Sequence, residues 1–398
     1  LKPTKAGGFP PAFFHVNKIM NKIRLFLLLV LAAGLGWLGW GSLSNAGNDA
    51  LKLTWTAKTG KPINLAPVVI GQRVLVIPHD GPLLAFDKTS GAKKWTYDPP
   101  EQIWHRSLGT DGERAFVCHR NGDIVGLSAV DGEFLWKQSL GINCQRPPHI
   151  SGGVLYVATT FVGAGLPGDI LTGAKLFALN PKDGAIIWQF KSENYLLQTP
   201  YRHGDTVYVA GSYIDPKIVV DEGGPARFYA LDSATGKPKW KTQTEDGFTK
   251  ALYATDDVLV FVGYQDFLSG LDTKTGHLIW RRDTGNWVPS LAGRGDTVYY
   301  GSANTKVHAW NVNDGKSVWQ FNIPGESFNY LLIKPVFTDK RTYFMSQRGD
   351  VFALNLKTGK ELWSYATNMT VRNGVALGDN TLYMGDVEGK VYAYKIMR

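Results

Sequence analysis

Some nine to fifteen residues after each of eight tryptophans, the chain carries a side chain able to grip an anion or a polar partner. The positions are Asn64, Arg106, Arg146, Gln198 with Thr199, Lys250, Ser290, Lys334 and Arg372, and five of the eight are cationic. If the segments converge, a ring of Arg and Lys focuses a positive field that attracts a carboxylate-rich ligand or an acidic peptide. Nearby acids such as Glu101, Glu193, Asp246 and Glu326 offer the competing arrangement, in which each cation is neutralised locally.

Other signatures of catalysis do not occur. The chain has no Gly-rich phosphate loop, no His-Glu-x-x-His pair and no Gly-x-Ser-x-Gly elbow. The eight histidines (His15, His79, His105, His119, His149, His203, His277 and His308) are scattered without metal-ligand spacing, so no metal site and no catalytic residue are expected. Cys118 and Cys144 are the only cysteines. They stand either as a bond between neighbouring structural units or as two buried thiols, since spacing alone cannot set their separation. Asp87, Asp232 and Asp272, with Asn180, Asn311 and Asn355 at the same place in other copies, read as caps on turn backbones.

The elements that position these residues come from a repeat. Seven times a small residue is followed six positions later by Gly and four after that by Trp. Ala85/Gly91/Trp95 is the first copy and Ala353/Gly359/Trp363 the last, with Trp136, Trp188, Trp240, Trp280 and Trp319 between. The Trp-to-Trp steps are 41, 52, 52, 40, 39 and 44 residues. A period near 40 with short alternating runs and Gly turns is the size of a four-stranded propeller blade. Each indole buries on the order of 200 Å² and is expected to pack flat against a neighbouring blade. After the seventh copy, residues 375–377, 381–384 and 391–394 supply three strands of an eighth blade. Its missing outer strand is Leu51 to Thr56, where Trp55 lies 40 residues before Trp95. The prediction is an all-β, eight-bladed propeller over residues 47–398, closed by an N-terminal strand, with the marked residues on the innermost strands around a central channel.

The two 52-residue steps locate insertions between the second and third strands of blades three and four. They contain Phe161, Leu166 and Asp169, and Tyr213, Ile214 and Ile218. Both are expected on the face where the channel opens, as loops whose apolar content suits a protein partner. Residues 1–46 form a separate extension. The apolar run 25–43, preceded by Lys18, Lys22 and Arg24, reads as a signal peptide or a single anchor, with Met20 as a candidate start. Export follows from either reading, with cleavage near Ala46 or retention in the inner membrane. The extension holds five basic residues and no acidic ones, so the net +9 drops to 38 basic against 34 acidic residues in the propeller. That balance argues against a nucleic-acid partner.

The blade pattern, as in Ala353-Leu354-Asn355-Leu356-Lys357-Thr358-Gly359-Lys360-Glu361-Leu362-Trp363, resembles the PQQ-type repeat across residues 51–398. Two branches share that repeat. One is the quinoprotein dehydrogenases, which oxidise alcohols or sugars with pyrroloquinoline quinone and calcium and typically carry a disulfide between adjacent cysteines. The other is the non-catalytic propellers of the BamB family. The bare eight-blade length resembles the second. That resemblance implies a periplasmic scaffold without cofactor, binding envelope partners such as the outer-membrane β-barrel assembly machinery. No cysteine follows the apolar run where the family's lipid anchor would need one. A scaffold for another envelope complex is the remaining option.

Overall fold

In a computed structural model the protein is described over residues 49–397, apart from 142–143, 145, 160–173, 193–194, 214–224, 246–250, 264–266, 304, 325–333 and 373. The apolar run 25–43 therefore lies outside the described residues. The described chain is all β and contains no helix. It forms eight antiparallel sheets, seven of them four-stranded and one five-stranded. Seven sheets take their strands in chain order. The eighth joins Val375–Gly378, Thr381–Gly385 and Lys390–Ile396 to the first strand, Leu51–Lys58. Trp55 stands opposite Ala393 in this sheet, so the expected closure is present and in phase. Innermost strands of neighbouring blades pack side by side, including Val68–Ile70 of blade one against Val375–Gly378 of blade eight.

Burial explains the strand pattern. The second and third strands of each blade are covered on both sides by neighbouring sheets, so they are nearly continuous apolar runs, as in Val258–Val262. Outer strands have one covered position. In Phe134–Ser139, Ile186–Lys191, Leu278–Asp283 and Ser317–Asn322 only the tryptophan is fully buried.

The six-plus-four spacing has a direct physical cause. Each small residue stands opposite its own tryptophan in the ladder, as Ala178 does with Trp188 and Gly270 with Trp280, and a register shift follows immediately. The indole lies across that residue, and a side chain there would collide with it: a Cβ on Gly270 would come within 2.5 Å of Trp280. The glycine faces the previous blade. Gly315, at φ 64°, would place a Cβ 2.5 Å from Trp280, and the same relation joins Gly91 to Trp55 and Gly359 to Trp319. Each indole N–H also donates to a carbonyl of the next blade, as Trp55 to Lys88 at 3.0 Å and Trp319 to Leu356 at 3.1 Å. Trp363 has no such acceptor among the described residues. The carbonyl at its equivalent place, Ile396, accepts instead from the Asn380 amide at 3.0 Å.

The turn before each glycine is capped as the sequence implies. Asp272 Oδ1 accepts from the backbone N–H of Lys274 (3.0 Å) and Thr275 (2.7 Å), and Asn355 Oδ1 does the same for Lys357 and Thr358. Hydrogen bonds from Thr275 hold the Asp272 carboxyl below its ordinary range.

Gly295 and Gly315 separate strain from wedging. Both have positive φ, but a Cβ on Gly295 meets nothing within 4 Å. Gly295→Ala should cost about 1 kcal/mol, the left-handed penalty alone. Gly315→Ala should cost roughly 1–3 kcal/mol more, from overpacking on Trp280. Chemical denaturation of both variants measures the difference, and equal losses would contradict the indole wedge.

Candidate functional site

The eight marked residues precede the innermost strands rather than lying within them, which corrects the sequence expectation. Prolines are one reason. Arg146-Pro147-Pro148, Thr199-Pro200 and Lys334-Pro335 put a residue without an N–H just ahead of the ladder. The innermost strands are also short, only two residues at Gly109–Thr110 and Val336–Phe337.

Part of the ring converges. Thr199, Ser290 and Lys334 line one cavity of about 860 Å³ together with His149, Tyr253 and Arg294. Arg106 and Arg372 are exposed, Arg146 is half-buried, and Asn64 is buried at 7 % exposure. Lys250 lies outside the described residues. Among the described residues Arg106, Lys334 and Arg372 form no ion pair, so local neutralisation is not seen for those three; Glu193, Asp246 and Glu326 are outside the description. Lys334 keeps contact with solvent while the protein around it displaces enough water to push its ammonium below the usual range. One wall of the cavity is aromatic. His149 stacks on Tyr201 at 6.2 Å, Tyr201 meets Tyr253 at 5.7 Å, and the Tyr253 hydroxyl donates to the Gly295 carbonyl at 2.9 Å. The cavity thus pairs a proline- and aromatic-rich wall with a cationic and hydroxyl-bearing one, a lining suited to an extended chain carrying an acidic group.

The insertions sit between second and third strands, as expected: 161–169 between Val154–Ala158 and Lys175–Leu179, and 214–222 between Thr206–Tyr213 and Ala226–Asp232. Phe161, Leu166, Asp169, Ile214 and Ile218 lie outside the described residues, and Tyr213 ends its strand. Sequence reasoning missed a further strand, Tyr195–Leu197, which pairs with the extended end of Thr206–Tyr213 and makes blade four five-stranded.

Cys118 and Cys144 are bonded, with Cα atoms 5.8 Å apart. Cys118 ends the second strand of blade two, and Cys144 lies five residues before the innermost strand of blade three, His149–Ser151. The fold also gathers His79, Asp80 and His105, whose ligand atoms lie within 4.8 Å of one another. No local spacing signals this trio. Its members meet because the loop after the second strand of blade one faces the lead-in to blade two.

These features define an eight-bladed propeller of PQQ-type repeats whose innermost strands line a cavity that carries Lys334 and Arg294. The family model described as outer membrane protein assembly factor BamB matches residues 48–110, 101–194, 120–223, 172–327 and 286–397, and the chain belongs to that family. It is 26% identical to outer membrane protein assembly factor BamB of Moranella endobia over 326 residues, covering 74% of this chain and 69% of the relative. The crystal structure of BamB from Moraxella catarrhalis superposes with a TM-score of 0.65 at 20% identity, covering 87% of this chain and all of that one. The chain is also 23% identical to the quinoprotein alcohol dehydrogenase PedH of Pseudomonas putida, covering 87% of this chain and 60% of that enzyme.

Burial, with the Lys334 charge adding to it, pushes the imidazole of His149 down to about 4; burial does the same to His308 on blade six. Unfolded imidazoles take up protons near pH 6.5, so between pH 6.5 and 4 the unfolded chain binds more protons. Stability should therefore be full above pH 6.5 and decline as pH falls towards 4. His149→Gln should make that slope shallower, read as denaturation midpoint against pH. An unchanged slope would contradict the buried, neutral state of His149.

Proposed function

We propose that this protein is a non-catalytic scaffold that docks envelope protein partners at the channel mouth and serves assembly of outer-membrane proteins. The observation that carries the reading is the BamB family match along nearly the whole propeller. Support comes from the cavity, whose described lining sets Thr199, Ser290, Lys334 and Arg294 beside apolar and aromatic residues. In this reading Asn64, Arg106, Arg146, Thr199, Lys250, Ser290, Lys334 and Arg372 form the polar docking ring. Phe161, Leu166, Asp169, Tyr213, Ile214 and Ile218 add apolar and polar contacts from the loops. The partner contributes an extended or looped acidic segment, which steering by the ring brings in quickly and orients.

The organisation that goes with this function is an export extension over 1–46, with the run 25–43 as signal or inner-membrane anchor, and a periplasmic propeller over 47–398.

The match to PedH raises a quinoprotein reading, in which cofactor and calcium would sit over the channel. The described lining of the cavity contains no carboxylate to hold a calcium ion. The disulfide joins cysteines 26 positions apart and not adjacent ones. The described residues therefore do not fit that pair of groups.

Binding of the purified protein to a detergent-solubilised β-barrel assembly complex tests the scaffold reading. Arg106→Glu, Lys334→Glu and Arg372→Glu together should weaken binding by about tenfold or more, mainly through slower association. Absence of binding by the unaltered protein would overturn the proposed partner. Binding unaffected by the three reversals would remove the mouth as its site.

A further inference from the structure

We propose that His79, Asp80 and His105 form a binding site for a divalent transition metal where the loop after the second strand of blade one meets the lead-in to blade two. The donor set is two imidazoles and one carboxylate, a set that favours zinc- or copper-like ions over calcium or magnesium. The His79 and His105 rings lie 4.7 Å apart, and His79 Nδ1 is 3.2 Å from Asp80 Oδ2. All three ligand atoms fall within 4.8 Å. Tetrahedral coordination at ordinary zinc distances needs about 3.4 Å between ligands, so the widest pair must close by up to about 1.4 Å. His79 and Asp80 are exposed, which leaves their side chains room to rotate.

The backbone beneath the trio is already set. The His79 N–H donates to the Pro62 carbonyl at 2.8 Å, and Gly81 closes a turn on Pro78 at 3.1 Å. Asp80 is held at φ 48°, a conformation uncommon outside glycine. Its carbonyl accepts from the Lys61 ammonium. The carboxylate divides its two oxygens: Oδ1 accepts from Arg120 at 2.6 Å, while Oδ2 faces His79. Arg120 is in turn seated over the Trp104 ring at 4.9 Å. A guanidinium on the far oxygen orients the near one, the role that outer partners play at metal sites.

A second observation points the same way. The Nδ1 of His105 is buried and has no hydrogen-bond partner among the described residues, although a buried ring nitrogen ordinarily finds one. The neighbouring cations Lys61, Arg106 and Arg120 disfavour a hard dication held by charge alone. Coordination by imidazole lone pairs is less sensitive to them. Three protein ligands leave at least one position for water or a side chain of a docked partner.

Electron paramagnetic resonance of the full chain with one equivalent of Cu²⁺, with Zn²⁺ titration in parallel, tests the proposal. We expect one copper per chain with two coupled nitrogens, displaced by excess Zn²⁺. His79→Ala and His105→Ala should each weaken binding by about tenfold or more and reduce the nitrogen count, and Asp80→Asn should weaken it with both nitrogens retained. His203→Ala with His277→Ala should change nothing. Matching melting temperatures without metal confirm that the variants fold. An unaltered chain that retains no stoichiometric copper, or a His79→Ala/His105→Ala double variant with an unchanged spectrum and affinity, would overturn the site.

Discussion

The indole of each outer strand, pressed between a small residue of its own blade and a positive-φ glycine of the next, is the contact on which the ring depends. A sheet of four short strands has two apolar faces that it cannot bury alone. Adhesion between blades must therefore supply what hydrogen bonding within a blade does not. The tryptophan does this in two ways at once. Its ring excludes water over a large area, and its N–H donates to a backbone carbonyl of the next blade. The small residue and the glycine follow as consequences, because a Cβ at Gly126 or at Gly132 would come within 3 Å of an indole.

Closure imposes one exception that is itself informative. In the eighth sheet the outer strand is Leu51–Lys58, and among the described residues no glycine turn receives Trp363. Trp363 stays buried at 7 % exposure and packs on Tyr343 at 5.8 Å, but it loses the inter-blade acceptor. The seam between blades seven and eight is thus built differently from the others. Pairing of Leu51–Lys58 with Lys390–Ile396 covers two sheet edges that would otherwise invite association. A ring held this way leaves its lead-in segments and connecting loops free to vary, and the candidate docking mouth is made of them.

Legibility in the sequence followed the same division. Blade number, closing strand, tryptophan packing and turn caps were readable because each depends on a periodic residue with a fixed steric role. The channel residues were readable only as a list. Their place ahead of the innermost strands depends on Pro148, Pro200 and Pro335, which stop the ladder from starting earlier. Thr199, Ser290 and Lys334 meet in one cavity while Arg106 and Arg372 stay at the surface, a distinction periodicity does not carry. The extra strand at Tyr195–Leu197 and the trio His79, Asp80 and His105 were not visible, since both arise where neighbouring segments of the ring approach one another. The pairing of Cys118 with Cys144 stood open for the same reason.

Everything proposed for the mouth assumes a closed, rigid ring, so closure is the claim to measure first. Amide hydrogen exchange across residues 51–58, followed by mass spectrometry, reads it directly. The account predicts protection of this segment comparable to that of 390–396, with both released together on global unfolding. Exchange of 51–58 at the rate of an unfolded peptide, while the middle strands of blades two to seven stay protected, would contradict it.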